Sequence, residues 1–421
     1  MTSPKSANPI KLSEAKVDSA RLLADLYRLR AFGTYKSGVH RPTYSDDDIA
    51  SRRWLLERMR EAGLDAEIDG IGNVIGRCRN AGPKLLVGSH LETQNHAGWL
   101  DGAMGVLYGL ELARALGGGI DVIAWADEEG HYGSFLGSRS FIGQLEDAEI
   151  DPLRSRNDGT PIRDALARCG LAGAPRRQVE RDRYIGYLEG HIEQADDLEA
   201  RKLRIGVVTS IVGIYQYRIR FSGVQNHAGT TRMAIRRDAG LAAAKLVVAI
   251  DGAFPKVAAA RSVWTVGKLA FEPGAPSVIP GAAEMILQFR DADEAVLIRM
   301  EAAMHELLAE ANRGPCKAEV QVLSKSAPSI MDTRFQAALT RAANKHAPAL
   351  HQSMPSGAGH DAQILARIMP AGMLFVPSIG GVSHHWSEDT ADADIALGAQ
   401  VFTTAAAELL ANAGHAEQHT R

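Results

Sequence analysis

His90, Asp101, the adjacent pair Glu128-Glu129, His191 and His384 are residues of the types that hold divalent metals, and each falls at or near the exit of a predicted strand. Open α/β sheets place their sites at the carboxyl ends of strands, so metal-assisted hydrolysis is the chemistry this set implies. Such a site wants one carboxylate on the metal and a second, unligated, to take a proton from water. Successive residues leaving a strand point to different sides, so Glu129 can face a metal while Glu128 faces the water. With Asp101 shared, the set divides into two shells of three. Imidazole with carboxylate favours zinc, with manganese, cobalt or nickel also accommodated.

The positioning elements follow from the hydrophobic pattern. His90 follows the apolar run PKLLVGS, and Asp101 opens the helical stretch VLYGLELARAL, where an N-cap is the alternative role. DVIAWA runs into Asp127-Glu128-Glu129-Gly130, YIGYLEG runs into His191, and MLFVPS precedes GGVSHHWSE. His385 adjoins His384, and spacing alone does not say which would bind. His96, His131 and His360 read as loop or supporting residues. In SDDDIASRRWLLERMREAG, Ser45 with Asp48 resembles a capping box and Gly63 supplies the stop.

Strands alternate with helices through the first half, the pattern of an α/β fold whose mainly parallel, mixed sheet carries helices on both faces. Near residue 210 the texture changes. IVGIYQYRIRFSGV alternates like an antiparallel strand with one wet face, followed by a helix at GLAAAKLVVAI, strands at SVWTVGKLAF and AEMILQFRD, a helix at DEAVLIRMEAAMHELLAEA and a strand at AEVQVLS. That order is ferredoxin-like. The expected organisation is a metal-binding catalytic domain over 1–209 and 326–421, interrupted by an inserted α+β domain over 210–325.

Nine motifs, GSHLETQ, LDGAMGV, DEEG with GSR, YLEGHIEQ, NHAGTT, SVIPG, QFRD, SGAGHD and GVSHHWSE, resemble in order those of the M20-type amidohydrolases. Within that family the chain is similar to the N-carbamoyl-L-amino acid hydrolase, β-ureidopropionase and allantoate amidohydrolase group, over nearly its whole length. The resemblance implies that His90, Asp101 and His191 hold one metal and Asp101, Glu129 and His384 the other, the ligand being the His directly after Ser383. It implies Glu128 as general base for a water bridging the metals, and His227 as the oxyanion donor, contributed across a homodimer. Arg290 would grip the substrate carboxylate, for which its planar fork is suited. Gln194, Ser277, Gly357 and Gly359 would line the substrate pocket, and the insert would be a lid and dimerisation domain. Because Arg290 and His227 lie on the insert, closure around substrate is expected to complete the site.

Three positions depart from the family pattern. Glu92 stands where relatives usually have Asp, and would orient His90 with a longer arm. Arg232 stands where they have Pro after the paired threonines. Ser277 replaces an Asn that contacts substrate, and a hydroxyl cannot supply an amide's paired donor and acceptor.

The implied activity is hydrolysis of the ureido C–N bond of an N-carbamoyl-L-amino acid or a related ureido acid, such as allantoate, ureidoglycolate or N-carbamoyl-β-alanine. The alternatives are an M20 aminoacylase or dipeptidase, or a binding protein that has lost catalysis. Net charge of -3 gives no basic excess for nucleic acid. Cys78, Cys169 and Cys316 are too few and scattered for a disulfide framework. MTSPKSANPIK lacks the apolar core of a signal peptide, and no segment has the length and apolarity of a membrane span. A cytoplasmic enzyme acting on a small molecule is expected.

Overall fold

The computed structural model describes residues 15–419; the N-terminal MTSPKSANPIK lies outside them. Two compact units emerge, one of residues up to 209 with 330–354 and 359–421, the other of 210–329 with 355–358. The second unit thus extends past 325. Its last strand, Lys317–Ser326, pairs along its length with Gly213–Ser222, so the chain cannot leave the unit before that strand ends.

The first unit is built on a nine-stranded mixed sheet. Its centre is parallel: Ala371–Val376 pairs with Tyr184–Ile192, which pairs with Lys84–His90, which pairs with Ile120–Trp125. Antiparallel strands flank this block, with Val74–Arg77 beside Ile120–Trp125 and Ile205–Ile211 beside Ala371–Val376. Central parallel strands are covered on both faces, and Lys84–His90 and Ile120–Trp125 are buried at every residue. Val87, Leu188 and Val376 share one core with the helices Ala103–Leu116 and Asp392–His419. Side chains alternate along a strand, so Trp125 and Tyr187 point the other way, toward Phe141 of the short helix Leu136–Phe141. All three central exits that carry His90, Glu128-Glu129 and His191 therefore open at one edge of the sheet.

Helix Asp46–Glu61 begins as its sequence requires, with Ser45 accepting from the Asp48 amide, but the reciprocal half of the capping box is absent. Asp48 instead accepts from Tyr44 N and from Arg52, both of which are buried.

The second unit is a four-stranded antiparallel sheet in the order 263–272, 282–291, 213–222, 317–326. Helices Ala239–Ala253 and Glu294–Ala311 cover one face. This is the ferredoxin-like order. The strict burial alternation of Ala282–Asp291 leaves Gln288 and Arg290 together on the opposite, wetter face.

Candidate metal centre and active site

The carboxylate of Asp101 is the hub of the first unit's site. Gly102 takes the N-cap position of the helix without any side-chain cap, so the Asp101 carboxylate is not spent on capping. Its Oδ1 lies 3.0 Å from His191 Nε2 and 3.6 Å from His90 Nε2, while its Oδ2 lies 3.2 Å from His384 Nε2. His384 Nε2 is in turn 3.7 Å from Glu129 Oε1. His385 turns away and bonds Ser387. Two groups able to hold a metal result, His90-Asp101-His191 and Asp101-Glu129-His384.

The donor set fits divalent ions on its own chemistry. His90 Nδ1 bonds the Glu92 carbonyl at 3.0 Å and His191 Nδ1 bonds the Ile192 carbonyl at 2.8 Å. A carbonyl only accepts, so each Nδ1 carries a hydrogen, and Nε2 is the nitrogen left facing inward, the one a cation would use. Glu129 Oε1 is buried with no hydrogen-bond partner among the described residues. Asp101 and Glu129 together leave a concentration of negative charge that a cation would satisfy.

A third group, Glu189-His191-His360, shares His191, both of whose ring nitrogens are already committed to Asp101 and Ile192. It therefore supports the centre from behind. His360 is buried with its ring edge-on to His191 at 4.5 Å, closer to the centre than a loop histidine. Glu189 accepts from Ser89 at 2.6 Å and from Ala362 N at 2.8 Å.

Glu128 belongs to none of these groups, although its Oε2 stands 3.8 Å from His90 Nε2. Burial, with Glu129, Asp361 and Asp101 nearby, pushes its carboxyl well above the usual carboxylate range against the pull of His90. Burial works against charge on His90, but Glu128, Asp101 and Glu92 outweigh it and hold its pKa high. The Asp101 contact lifts His384 to about 9.

The backbone is strained at this site. Asp127, Gln194 and His384 all have positive φ, at 57°, 59° and 55°. Non-glycine residues there cost on the order of 1–3 kcal/mol each and persist only where surroundings over-determine them. Asp127 meets that condition: it accepts from Thr43, His131 N, Tyr132 N and Gly133 N. Gln194 donates to Asp101 Oδ2 at 3.0 Å and to Ser383 at 3.2 Å.

Glu92 differs from the expectation. Its carboxylate lies 3.9 Å from His90 Nδ1, whose partner is instead the Glu92 backbone carbonyl. The longer arm reaches past the imidazole to Arg52 at 2.6 Å and to the Glu128 amide at 2.7 Å.

Several supporting residues went unread in the linear chain. Arg52 looks like one polar residue of an amphipathic helix. Glu388 accepts from Asp101 N at 3.1 Å and from Ser383 at 2.9 Å, joining the two loops that bring Asp101 and His384 together. It lies inside GVSHHWSE, so its motif could have pointed to it. Gln94 of GSHLETQ donates to Glu129 Oε2 at 2.6 Å and is itself held by Arg156.

The second unit holds the remaining predicted residues except Gly359. Asn226–His227 pairs with Val278–Ile279, bringing Ala228 N to the Ser277 carbonyl at 2.9 Å. His227 is exposed, and its Nδ1 accepts from Gly229 N and Thr230 N, so the hydrogen resides on Nε2. Arg236 is more than a first-turn charge, since it donates to the carbonyls of Ala228 and Thr231 and ties down this loop. Arg232 is exposed. Arg290 donates through Nε to Gln288 at 2.8 Å and through Nη1 to the Gly357 carbonyl at 3.1 Å, leaving Nη2 uncommitted among the described residues. Gly357 falls within this unit, whereas Gly359 belongs to the first.

Residues 92–408 match the model of peptidase family M20/M25/M40. The chain belongs to the M20 amidohydrolases. These enzymes hydrolyse carbon–nitrogen bonds, and the relatives of this member are amidohydrolases of the carbamoylase group. It is similar to an amidase of the hydantoinase/carbamoylase family from Burkholderia phymatum, at 48% identity and a TM-score of 0.88 over 95% of this chain and 99% of that one. An N-carbamoyl-L-amino-acid amidohydrolase of Paenarthrobacter aurescens is 34% identical over 92% of this M20 chain and 97% of its own length. A ureidoglycolate hydrolase of Oryza sativa is 33% identical over 93% of this chain and 85% of its own. Among the described residues, no helix is long and apolar enough to cross a membrane.

Proposed function

We propose that this M20 enzyme hydrolyses the ureido C–N bond of an N-carbamoyl-L-amino acid or a closely related ureido acid, releasing ammonia and carbon dioxide. The observation that carries the proposal is the division of labour around Asp101. Its two oxygens face two separate ligand sets, and Glu128 stands beside them without joining either. His90, Asp101 and His191 would hold one divalent ion, and Asp101, Glu129 and His384 a second, with zinc favoured by the imidazole and carboxylate donors. Such ions supply Lewis acidity and make water acidic enough to deprotonate near neutral pH.

The remaining work falls to side chains. Glu128 takes the proton from the attacking water and passes it to the departing nitrogen, a role that its place beside the ligands but outside both groups suits. The Nε2–H of His227 donates to the oxyanion that forms on the ureido carbon, supported by the tautomer that Gly229 N and Thr230 N impose. Arg290 reads the substrate carboxylate, its remaining donors aimed by Gln288 and Gly357. Gln194, Ser277 and Gly359 complete the pocket, with Ser277 a position at which substrate preference would diverge from relatives carrying Asn.

Two copies of the chain, associating through the second unit as a lid and dimerisation domain, would let His227 serve a partner's metals. Val263, Leu269 and Phe271 on its edge strand are exposed apolar residues in keeping with such an interface. Three free, buried cysteines suit a reducing cytoplasm.

The test is an ammonia-release screen on metal-reconstituted protein with N-carbamoyl-L-amino acids, N-carbamoyl-β-alanine, allantoate and ureidoglycolate. Turnover of at least one is expected. Release from none of them, beside cleavage of N-acyl amino acids or dipeptides, would replace the ureido reading with an aminoacylase or peptidase one.

A further inference from the structure

Between Trp125 and Glu128 the chain leaves its strand, passes through Asp127 at φ 57° and delivers the Glu128 side chain to the metal centre. Both ends of this three-residue step are tied to one buried pair. Arg52 Nη1 donates to the Trp125 carbonyl at 3.0 Å and to the Gly72 carbonyl at 3.0 Å. Arg52 Nη2 donates to Glu92 Oε2 at 2.6 Å, and Glu92 Oε1 accepts from the Glu128 amide at 2.7 Å. The circuit closes from Trp125 carbonyl to Arg52 to Glu92 to Glu128 amide, entirely within the protein, with Arg52 and Glu92 both fully buried.

We infer that Glu92 and Arg52 form a clamp that positions Glu128, and that Glu92 is a positioning residue for proton transfer rather than for the imidazole of His90. This rests on the assignment of Glu128 as general base. Three features carry it. The 3.9 Å gap to His90 Nδ1 is no hydrogen bond, and that nitrogen is already satisfied by a backbone carbonyl. Each link in the circuit except the Arg52 bond to Trp125 involves the Glu92 carboxylate, so both its oxygens are used and neither is redundant. The left-handed Asp127 lies inside the circuit, where any relaxation of its backbone would swing the next residue.

The clamp can be opened without leaving a buried cation alone, because Asp48 pairs with Arg52 through both carboxylate oxygens at 2.9 and 3.0 Å. Glu92→Gln keeps the length but offers a single acceptor, which can serve Arg52 or the Glu128 amide but not both. Arg52→Lys keeps the charge but cannot reach two carbonyls and Glu92 at once. Both variants, with Glu128→Gln in parallel, are assayed on the best substrate of the screen above, with metal content per subunit measured by mass spectrometry.

The expected result for both is a loss of about 100-fold in kcat, the order of effect of a misplaced catalytic group, with KM and metal content equal to wild type. Unchanged kcat in either variant overturns the clamp. So does loss of metal in step with activity, which would return Glu92 to the role of orienting His90. Glu128→Gln turning over at the wild-type rate refutes the base assignment itself, whereas inactive Glu128→Gln beside fully active Glu92→Gln refutes the clamp alone.

Discussion

Gly102 lies directly against the imidazole of His90: a β-carbon built on it would fall 2.4 Å from the His90 Nε2. That nitrogen is the one presented to the metal centre, so the space a side chain would need is the space the ligand occupies. Gly102 also has φ 67°, a conformation that L side chains rarely adopt. Gly102→Ala is therefore expected to push His90 aside and lower metal content and activity together. Equilibrium dialysis against zinc checks this, and wild-type affinity in the variant would refute it.

Glu128→Ala should separate chemistry from metal binding. A lost general base typically costs about 10²- to 10⁴-fold in rate, and since Glu128 lies outside both ligand groups the metals should remain. Steady-state kinetics with metal analysis decides; a fully active variant would end the mechanism.

Arg290→Ala should act mainly on substrate binding. Hydrogen bonds to a charged group contribute about 1.5–3 kcal/mol, so KM should rise by about 10- to 100-fold at 1.4 kcal/mol per decade, with kcat changed much less. A drop confined to kcat would move Arg290 from carboxylate recognition to the chemical step.

If His227 serves a partner's site, mixing inactive His227→Ala with inactive Glu128→Ala should regenerate activity, because one site of each mixed dimer then has both residues intact. Refolding the two together and assaying against either alone is the measurement. No recovery despite proven mixing would place His227 in its own subunit's site.

The second unit contains a charge cluster whose pH response has a definite sign. Hydrogen bonds from Lys268 and Arg220 hold Glu284 down at about 2. A depressed acid stabilises the fold above its unfolded pKa, near 4.5, and that contribution fades as pH falls through about 2. The ion pairs are exposed and screened by salt, so the effect is small. Glu284→Gln should lower the melting temperature slightly above pH 4.5, and the gap should close toward pH 2. A gap that widens on acidification would contradict the assignment.

Much of the centre was legible in the linear chain. His90, Asp101, Glu129, His191 and His384 carry imidazole or carboxylate, donor types that could hold a divalent ion, and their placement near strand exits follows from hydrophobic patterns that are local. The antiparallel insert was legible for the same reason, since period-two alternation survives in the chain whatever it packs against. Its boundary was less so, because the strand Lys317–Ser326 ends where pairing with Gly213–Ser222 ends, and that pairing spans about a hundred residues.

The sequence by itself determined which donors exist and in what order. Only the tertiary structure decided which partners each one meets. Asp101 could have been a cap, and became a hub because helix Ala103–Leu116 starts on Gly102 and frees its carboxylate. Asp48 could have closed a capping box, and was drawn to a buried Arg52 instead. Glu92 could have oriented His90, and its extra methylene carried it to Arg52 and the Glu128 amide. In each case two partners competed for one carboxylate. The winner was set by distances between residues 4 to 40 positions apart along the chain and by the geometry of a helix start. Hydrogen bonding is decided by such distances and angles, which composition and spacing do not contain.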